Sequence, residues 1–255
     1  GAAGAVALAA GLGLAGLAAW SVAGFWAFPD LLPESWTARS WARHGRGAWD
    51  AAGETVLIAA GATGAALILA VACLESEFRR GARPGAGAMW LLYLPLIVPQ
   101  TAFLTGLSTL ALSLGLDGGL WAVGAAHLVF VLPYVFLSLS DPWRAWDGRF
   151  ATVAASLGAG PGGRLRRVRL PMMLAPVLTA GAVGFAVSVG QYLPTLLVGG
   201  GRVSTLTTEA VALASGGDRR AIGVWALAQA GAAAAPFALA VLGPPLVWRR
   251  RRGMR

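Results

Sequence analysis

The sequence predicts an all-α membrane protein with six transmembrane helices and a short cytoplasmic helix between the fourth and the fifth. The chain of 255 residues is 57% hydrophobic and 12% charged, whereas soluble domains carry roughly 25% charged residues. Six apolar segments each reach the length of about 20 residues that a helix needs to cross a bilayer. The arginines are concentrated in alternate connections between these segments. We therefore expect one membrane domain over residues 1–255.

The predicted spans follow one another along the whole chain. They cover residues 3–28, 51–74, 87–112, 119–139, 172–198 and 221–248. The connection over 29–50 contains three tryptophans among charged residues, which predicts a short helix lying in the membrane interface. Prolines within spans three and five predict kinks, since proline removes a backbone hydrogen bond.

The basic residues predict the orientation of the spans. All 20 of them are arginine. Fourteen fall in the second and fourth connections and in the C-terminal tail, and six fall in the first and fifth connections. Because cytoplasmic loops are enriched in Lys and Arg, both termini are predicted to be cytoplasmic. A basic chain also suggests nucleic-acid binding, but the apolar background favours contact with membrane lipid and predicts no nucleic-acid partner.

Residue types that are absent from the sequence limit the chemistry that the chain can perform. Without lysine the chain has no Walker A loop for ATP and no Schiff-base lysine. The lone Cys73 forms neither an internal disulfide nor a cysteine metal site. The two histidines, His44 and His127, are predicted to lie in different compartments, and no nucleophile motif accompanies them. We therefore expect no catalytic residue, no metal site and no bound cofactor in this chain.

The longest predicted cytoplasmic connection, residues 141–171, has internal structure. Asp141 and Pro142 predict a helix start, because Asp caps free N–H groups and Pro suits the first turn. An amphipathic helix is predicted over 143–157, and Gly158 lies where a left-handed C-terminal cap falls. A Gly/Pro turn and four arginines then lead back to the membrane. Taken alone, these features indicate a solvated basic loop.

The spacing in this loop resembles the EAA motif of permease subunits of binding-protein-dependent ABC importers. That motif reads E-A-A, three residues, G, nine residues, I-x-L-P, and it precedes the second-last span. Here Thr152 replaces the Glu and Val153 the first Ala, while the spacing matches throughout. The residues that the resemblance assigns to ATPase contact are Thr152, Val153, Ala154, Leu157, Gly158, Val168, Leu170 and Pro171.

The resemblance implies a MetI-like permease fold in the bacterial inner membrane and a set of partners. A second permease unit would complete the pathway, as an identical copy, a sister subunit or a fused half. Two cytoplasmic ABC ATPase subunits would hold ATP and Mg, so the chain would not itself be an enzyme. A periplasmic or lipid-anchored binding protein would deliver substrate. Residues 191–215 are similar to the thiamine, iron and polyamine branch, and within it to a thiamine-type permease with two halves in one chain.

Polar residues within the spans are the candidates for a translocation pathway. Such residues are costly in a membrane and often functional, but many only hydrogen-bond between helices. For His127 the packing role is favoured, and for Gln191 and Tyr192 the two roles stay open. The candidates are Gln100, Thr101, His127, Gln191, Tyr192 and Thr195.

Two other classes of protein fit the composition less well. A stand-alone secondary transporter or channel would need coupling residues within the spans. His127 and Glu54 are the candidates, and they suit that role poorly. A membrane-embedded enzyme would need a nucleophile or a metal motif, and the sequence has neither G-x-S-x-G nor H-E-x-x-H. The permease interpretation is therefore preferred.

Overall fold

The computed structural model of the protein describes residues 2–26, 30–116 and 118–247. The described residues form helices and short connections, with one isolated β-bridge between Ala23 and Trp36. The all-α prediction is therefore confirmed. The helices are α1 (Ala2–Ser21), α2 (Arg39–Arg80), α3 (Ala86–Ile97), α4 (Gln100–Ser113), α5 (Leu120–Ala145), α6 (Arg149–Ser156), α7 (Pro161–Arg164), a π-helical turn (Leu165–Arg169), α8 (Leu170–Met172), α9 (Leu174–Val189), α10 (Leu193–Gly199), α11 (Leu206–Ala214) and α12 (Arg219–Val247).

Four of the described helices are long and apolar enough to cross a membrane, namely α1, α2, α5 and α12. Two further candidates are bent pairs. The helices α3 and α4 meet at 107°, and the segment Pro161–Met172 meets α9 at 76°. By length and composition, the described residues therefore contain four candidate membrane spans, or up to six if each bent pair is one span. The ends of the first and sixth predicted spans, Phe28 and Trp248, lie outside the described residues.

Helix α2 is much longer than the second predicted span. It runs unbroken for 42 residues, or about 60 Å at 1.5 Å per residue, which is twice the hydrocarbon thickness of about 30 Å. The predicted separate interfacial helix is therefore wrong, since Trp41 and Trp49 lie on the first turns of α2. The segment 39–80 contains no proline, so nothing in the backbone stops the helix at the membrane surface.

The third predicted span is divided at Val98. This residue has extended backbone angles, with φ −75° and ψ 136°, between α3 and α4. Pro99 follows it, and a proline disfavours the helical region for the residue before it. The fifth predicted span is divided as well, because α9 ends at Val189 and α10 begins only at Leu193.

The packed centre of the fold lies where α2, α5 and α9 contact one another. Its buried side chains include Ala66 and Ala70 of α2, Val131 and Val135 of α5, and Ala180 of α9. Small residues let the helix backbones approach closely, which is how helices associate where no water drives them together. This packing brings the C-terminal ends of α2 and α5 beside the segment that leads into α9.

Candidate functional site

The connection between α5 and α9 begins later than the sequence indicates. Helix α5 continues through Asp141 and Pro142 to Ala145, so the predicted helix start at Asp141 is wrong. The last turn is held by Trp143, which is 1% exposed, and by Arg144, whose Nη2 lies 3.1 Å from Glu77 Oε2. These contacts offset the hydrogen bond that proline removes.

A short helix, α6, then occupies the middle of the connection. Trp146 ends α5 with extended backbone angles, and Asp147 supports the start of α6 by accepting the Arg149 N–H at 2.9 Å. The Arg149 guanidinium donates to the same carboxylate at 2.7 Å. These hydrogen bonds hold the pKa of Asp147 below its ordinary value. The helix predicted over 143–157 is therefore the last turn of α5 followed by the separate helix α6.

The end of α6 is a Schellman motif, and Gly158 has the left-handed conformation that the sequence predicts, with φ +82°. The Ala159 N–H donates to the Ala154 carbonyl at 2.9 Å. The Gly158 N–H donates to the Ala155 carbonyl, also at 2.9 Å. This pair of bonds defines the motif and satisfies carbonyls that the helix end would leave free. The helix therefore ends in a sharp turn at Gly158, after which the chain leads through α7 to α9.

The two faces of α6 differ. Ala151 and Ala154 are buried against the rest of the chain. Phe150, Val153 and Leu157, spaced three and four residues apart, are 47%, 59% and 82% exposed. Residues at that spacing lie on one side of a helix. The chain thus presents an apolar stripe, here called the α6 stripe, on a helix that is fixed from behind.

The predicted ATPase-contact residues fall into two groups in the structure. Thr152, Val153, Leu157 and Gly158 are exposed on or next to α6. Ala154 packs inward, although the sequence places it with the contact residues. Partly buried positions on the return segment form the second group: Val168, Leu170 and Pro171.

Arg169, which the sequence does not distinguish from its neighbours, is buried at 2% exposure. Its Nη1 donates to Glu75 Oε2 at 2.9 Å, and its Nη2 donates to the Trp143 carbonyl at 2.7 Å. The guanidinium carbon lies 4.3 Å from the ring centre of Phe78, 4.4 Å from that of Trp143 and 4.7 Å from that of Trp146. Aromatic faces attract a cation at such distances. The predicted arginine-rich stretch therefore contains one structural arginine that joins α2, α5 and the return segment.

The predicted pathway residues are only partly brought together. His127 Nδ1 lies 2.8 Å from Ser188 Oγ, and its Nε2 lies 2.9 Å from Thr195 Oγ1. The Thr195 hydroxyl donates to the Gln191 carbonyl at 2.9 Å, so Nε2 is the nitrogen that donates to Thr195. Gln191 is buried, and Tyr192 is half-buried beside it. This buried network ties α5 to α9 and α10.

Two of the predicted pathway residues lie elsewhere. Gln100 and Thr101 are exposed at the start of α4, after the sharp bend at Val98, and they have no part in the His127 network. In the part of the chain that the structure describes, no three His, Cys, Asp or Glu side chains are grouped so that they could hold a metal ion.

Comparison with known proteins relates the chain to transporters. It is 42% identical over 172 residues to the inner membrane ABC transporter permease protein YnjC of Escherichia coli, covering 68% of the chain and 34% of that protein. It is 30% identical over 173 residues to the permease protein PhnV of Salmonella typhimurium, named for 2-aminoethylphosphonate transport, covering 66% of the chain and 64% of that protein.

A third relative is the spermidine/putrescine transport system permease protein PotC of Haemophilus influenzae, 27% identical over 133 residues, 52% of the chain and 50% of that protein. No family model matches the chain. The chain thus spans about a third of the E. coli relative and just under two thirds of the first Salmonella one. By sequence, the chain is a homologue of the permease proteins of ABC transporters.

Proposed function

We propose that the chain is the transmembrane permease subunit of an ABC importer with a MetI-like fold. It lies in the inner membrane with six spans, counting each bent pair as one, and with both termini in the cytoplasm. Homology to three named permeases supports this proposal. The observation that carries it is the α6 stripe, an exposed apolar surface on a Schellman-capped helix, in the loop whose spacing resembles the EAA motif.

The α6 stripe is the surface that would enter a cleft of an ATPase subunit. Full burial of a leucine or valine side chain contributes about 1.5–3 kcal/mol, and Val153 and Leu157 are both more than half exposed. Docking would therefore bury apolar surface that is exposed to water in the isolated chain. The inward packing of Ala151 and Ala154 fixes α6 to the permease, so a displacement of the ATPase would be transmitted to α5 and α9.

The partners follow from this role. Two ATPase subunits, each with its own ATP and Mg, would supply the energy, since this chain has no lysine for a Walker A loop. A second permease unit, whether an identical copy, a sister subunit or a fused half, would complete the pathway. A periplasmic or lipid-anchored binding protein would deliver the substrate.

The substrate is left open by the relatives. Their names refer to a phosphonate, to polyamines and, in ModB of Mycobacterium bovis, to molybdenum. A thiamine-type substrate is a further prediction. A stand-alone transporter has less support, because both ring nitrogens of His127 bind hydroxyl groups rather than a carboxylate partner. This arrangement favours a packing role for the histidine and a conduit whose specificity resides in the binding protein.

Co-purification tests the proposal. The full chain is co-expressed with the candidate ATPase whose reading frame adjoins its own and contains a Walker A motif. We expect the ATPase to co-purify with the wild type and with Leu157→Met, which keeps an apolar side chain. We expect the ATPase not to co-purify with Leu157→Asp, because the substitution puts a charge into the α6 stripe. The amount of this variant that is inserted in the membrane should equal that of the wild type. If both variants retain the ATPase, or if the wild type does not bind it, the proposal is refuted.

A further inference from the structure

A cavity of about 450 Å³ lies between α6 and the cytoplasmic end of α2. Its charged lining consists of Arg79, Arg164 and Arg169 together with a single carboxylate, Glu75. Thr152 and Ala151 of α6 also line the cavity. The cavity therefore has three guanidinium groups and one carboxylate, an excess of two positive charges.

The one carboxylate is already fully used. Glu75 Oε1 accepts from Arg79 Nε at 2.8 Å, and its Oε2 accepts from Arg169 Nη1 at 2.9 Å. Three lining residues have a buried N–H without an acceptor among the described residues, namely Arg164 Nε, Arg169 Nε and Trp146 Nε1. Buried polar groups in proteins almost always have a hydrogen-bond partner. These nitrogens are shielded from solvent beside the cavity, so it is the excess positive charge of the lining that indicates a group with negative charge there.

Thr152 explains why the cavity has no second carboxylate beside Glu75. It stands where the EAA pattern has Glu, and it lines the same cavity as the arginines. A glutamate at this position would supply a carboxylate from α6. With threonine there, the chain offers only a neutral hydroxyl, and the arginines keep their unpaired donors.

We propose that this cavity binds a phosphate-type oxyanion, which links α6 to α2 in place of the missing carboxylate. Guanidinium groups match the geometry of phosphate and make strong, charge-assisted hydrogen bonds to it. The anion is either free phosphate or the phosphate of an anionic lipid headgroup, and the lipid source rests on the proposed orientation, in which this end of α2 is cytoplasmic. The site rests on the arginine cluster and stands whether or not the chain serves an importer.

The test measures the thermal unfolding temperature of the full chain, purified in a sugar-headgroup detergent without phosphate buffer. Inorganic phosphate is titrated against chloride at equal ionic strength. In a second arm the same phosphate titration is repeated in nanodiscs of phosphatidylcholine, with or without phosphatidylglycerol. We expect the wild type to gain about 2–4 °C in a saturable manner, as for a ligand that binds only the folded state.

Three variants assign the effect to the cavity. Arg164→Gln removes one lining charge and is expected to lose the response. Thr152→Glu supplies the carboxylate and is expected to unfold at a higher temperature without added anion and to lose the response. Arg166→Gln, an exposed neighbour outside the lining, is expected to respond like the wild type.

The two arms also separate the sources of the anion. If phosphatidylglycerol alone raises the unfolding temperature and abolishes the response to phosphate, the lipid headgroup is the source of the anion. A phosphate response that is independent of the lipid supports the free anion. The proposal is overturned if the wild type responds to neither source, or if Arg164→Gln responds as the wild type does.

Discussion

Glu75 near the end of α2 and Arg169 in the π-helical turn form an ion pair of 2.9 Å across 94 residues of sequence. The arginine side chain is 3% exposed and the glutamate side chain 11%. Breaking a buried pair by removing one partner is costly, because the other charge is left uncompensated. This contact joins the long helix α2 to the loop that carries α6, so it sets the position of the α6 stripe.

Arg169→Leu should therefore destabilise the chain by about 3–5 kcal/mol, since Glu75 would keep a buried charge with only Arg79 as its partner. We expect a clear fall in the thermal unfolding temperature in detergent. The matched control is Arg167→Leu, an exposed position two residues away, which should change stability by less than about 0.5 kcal/mol. Equal effects of the two substitutions would show that Arg169 is not the anchor of the loop.

Gly158→Ala tests the left-handed cap of α6. The residue has φ +82°, and a Cβ atom added to it would meet no neighbouring atom within 4 Å, so the substitution acts through the backbone alone. A non-glycine residue in this conformation costs roughly 1–2 kcal/mol. We expect weaker ATPase association with unchanged membrane insertion.

Gly162→Ala is the matched control for that substitution. Its added methyl group also meets nothing within 4 Å, and its φ is not positive. Association of the ATPase should stay at the wild-type level. If both alanines weaken it equally, the effect does not come from the turn geometry.

Gly184→Ala tests the close approach of α9 to α5. A Cβ atom at this position would lie 2.5 Å from Val135 Cγ2 and 3.1 Å from Val131 Cγ1. Overpacking of this kind costs typically 1–3 kcal/mol, and the thermal unfolding temperature should fall. Gly64→Ala in α2 has open space around the new methyl group and should be neutral or slightly stabilising. A neutral Gly184→Ala would contradict the tight packing.

Ser188→Ala distinguishes packing from transport in the His127 network. The substitution leaves His127 Nδ1 without its partner at 2.8 Å. Hydrogen bonds between helices in a membrane contribute about 0.6 kcal/mol on average and at most about 1.7. We expect a small fall in unfolding temperature and normal transport in reconstituted vesicles. Abolished transport with unchanged stability would instead place His127 in the pathway.

Much of the architecture could be predicted from local sequence. Apolar length indicates candidate membrane helices, and the described residues contain four of them, or up to six if each bent pair is one span. The cap at Gly158 was also predictable, since a left-handed turn at a helix end is a local preference of glycine. The bend at Val98 has a local cause as well, in Pro99, but its angle of 107° depends on how α4 packs.

The helix boundaries near the loop were less predictable. Asp141 and Pro142 locally favour a helix start, yet the burial of Trp143 and the pair of Arg144 with Glu77 keep α5 helical beyond them. Tertiary contacts routinely override local propensity, because the local preference of a single residue is weak.

The amino-acid order alone determined that the chain is a helical membrane protein and that its long polar loop has the spacing from Thr152 through Gly158 to Pro171. Those features depend on composition and on distances along the chain. Only the tertiary structure decided that Arg169 is buried while Arg166 and Arg167 stay exposed, and that Ala154 faces inward while Leu157 faces out. The reason is physical: an arginine is buried only where a distant carboxylate and aromatic rings meet it, and folding alone brings Glu75, Phe78 and Trp143 to that place.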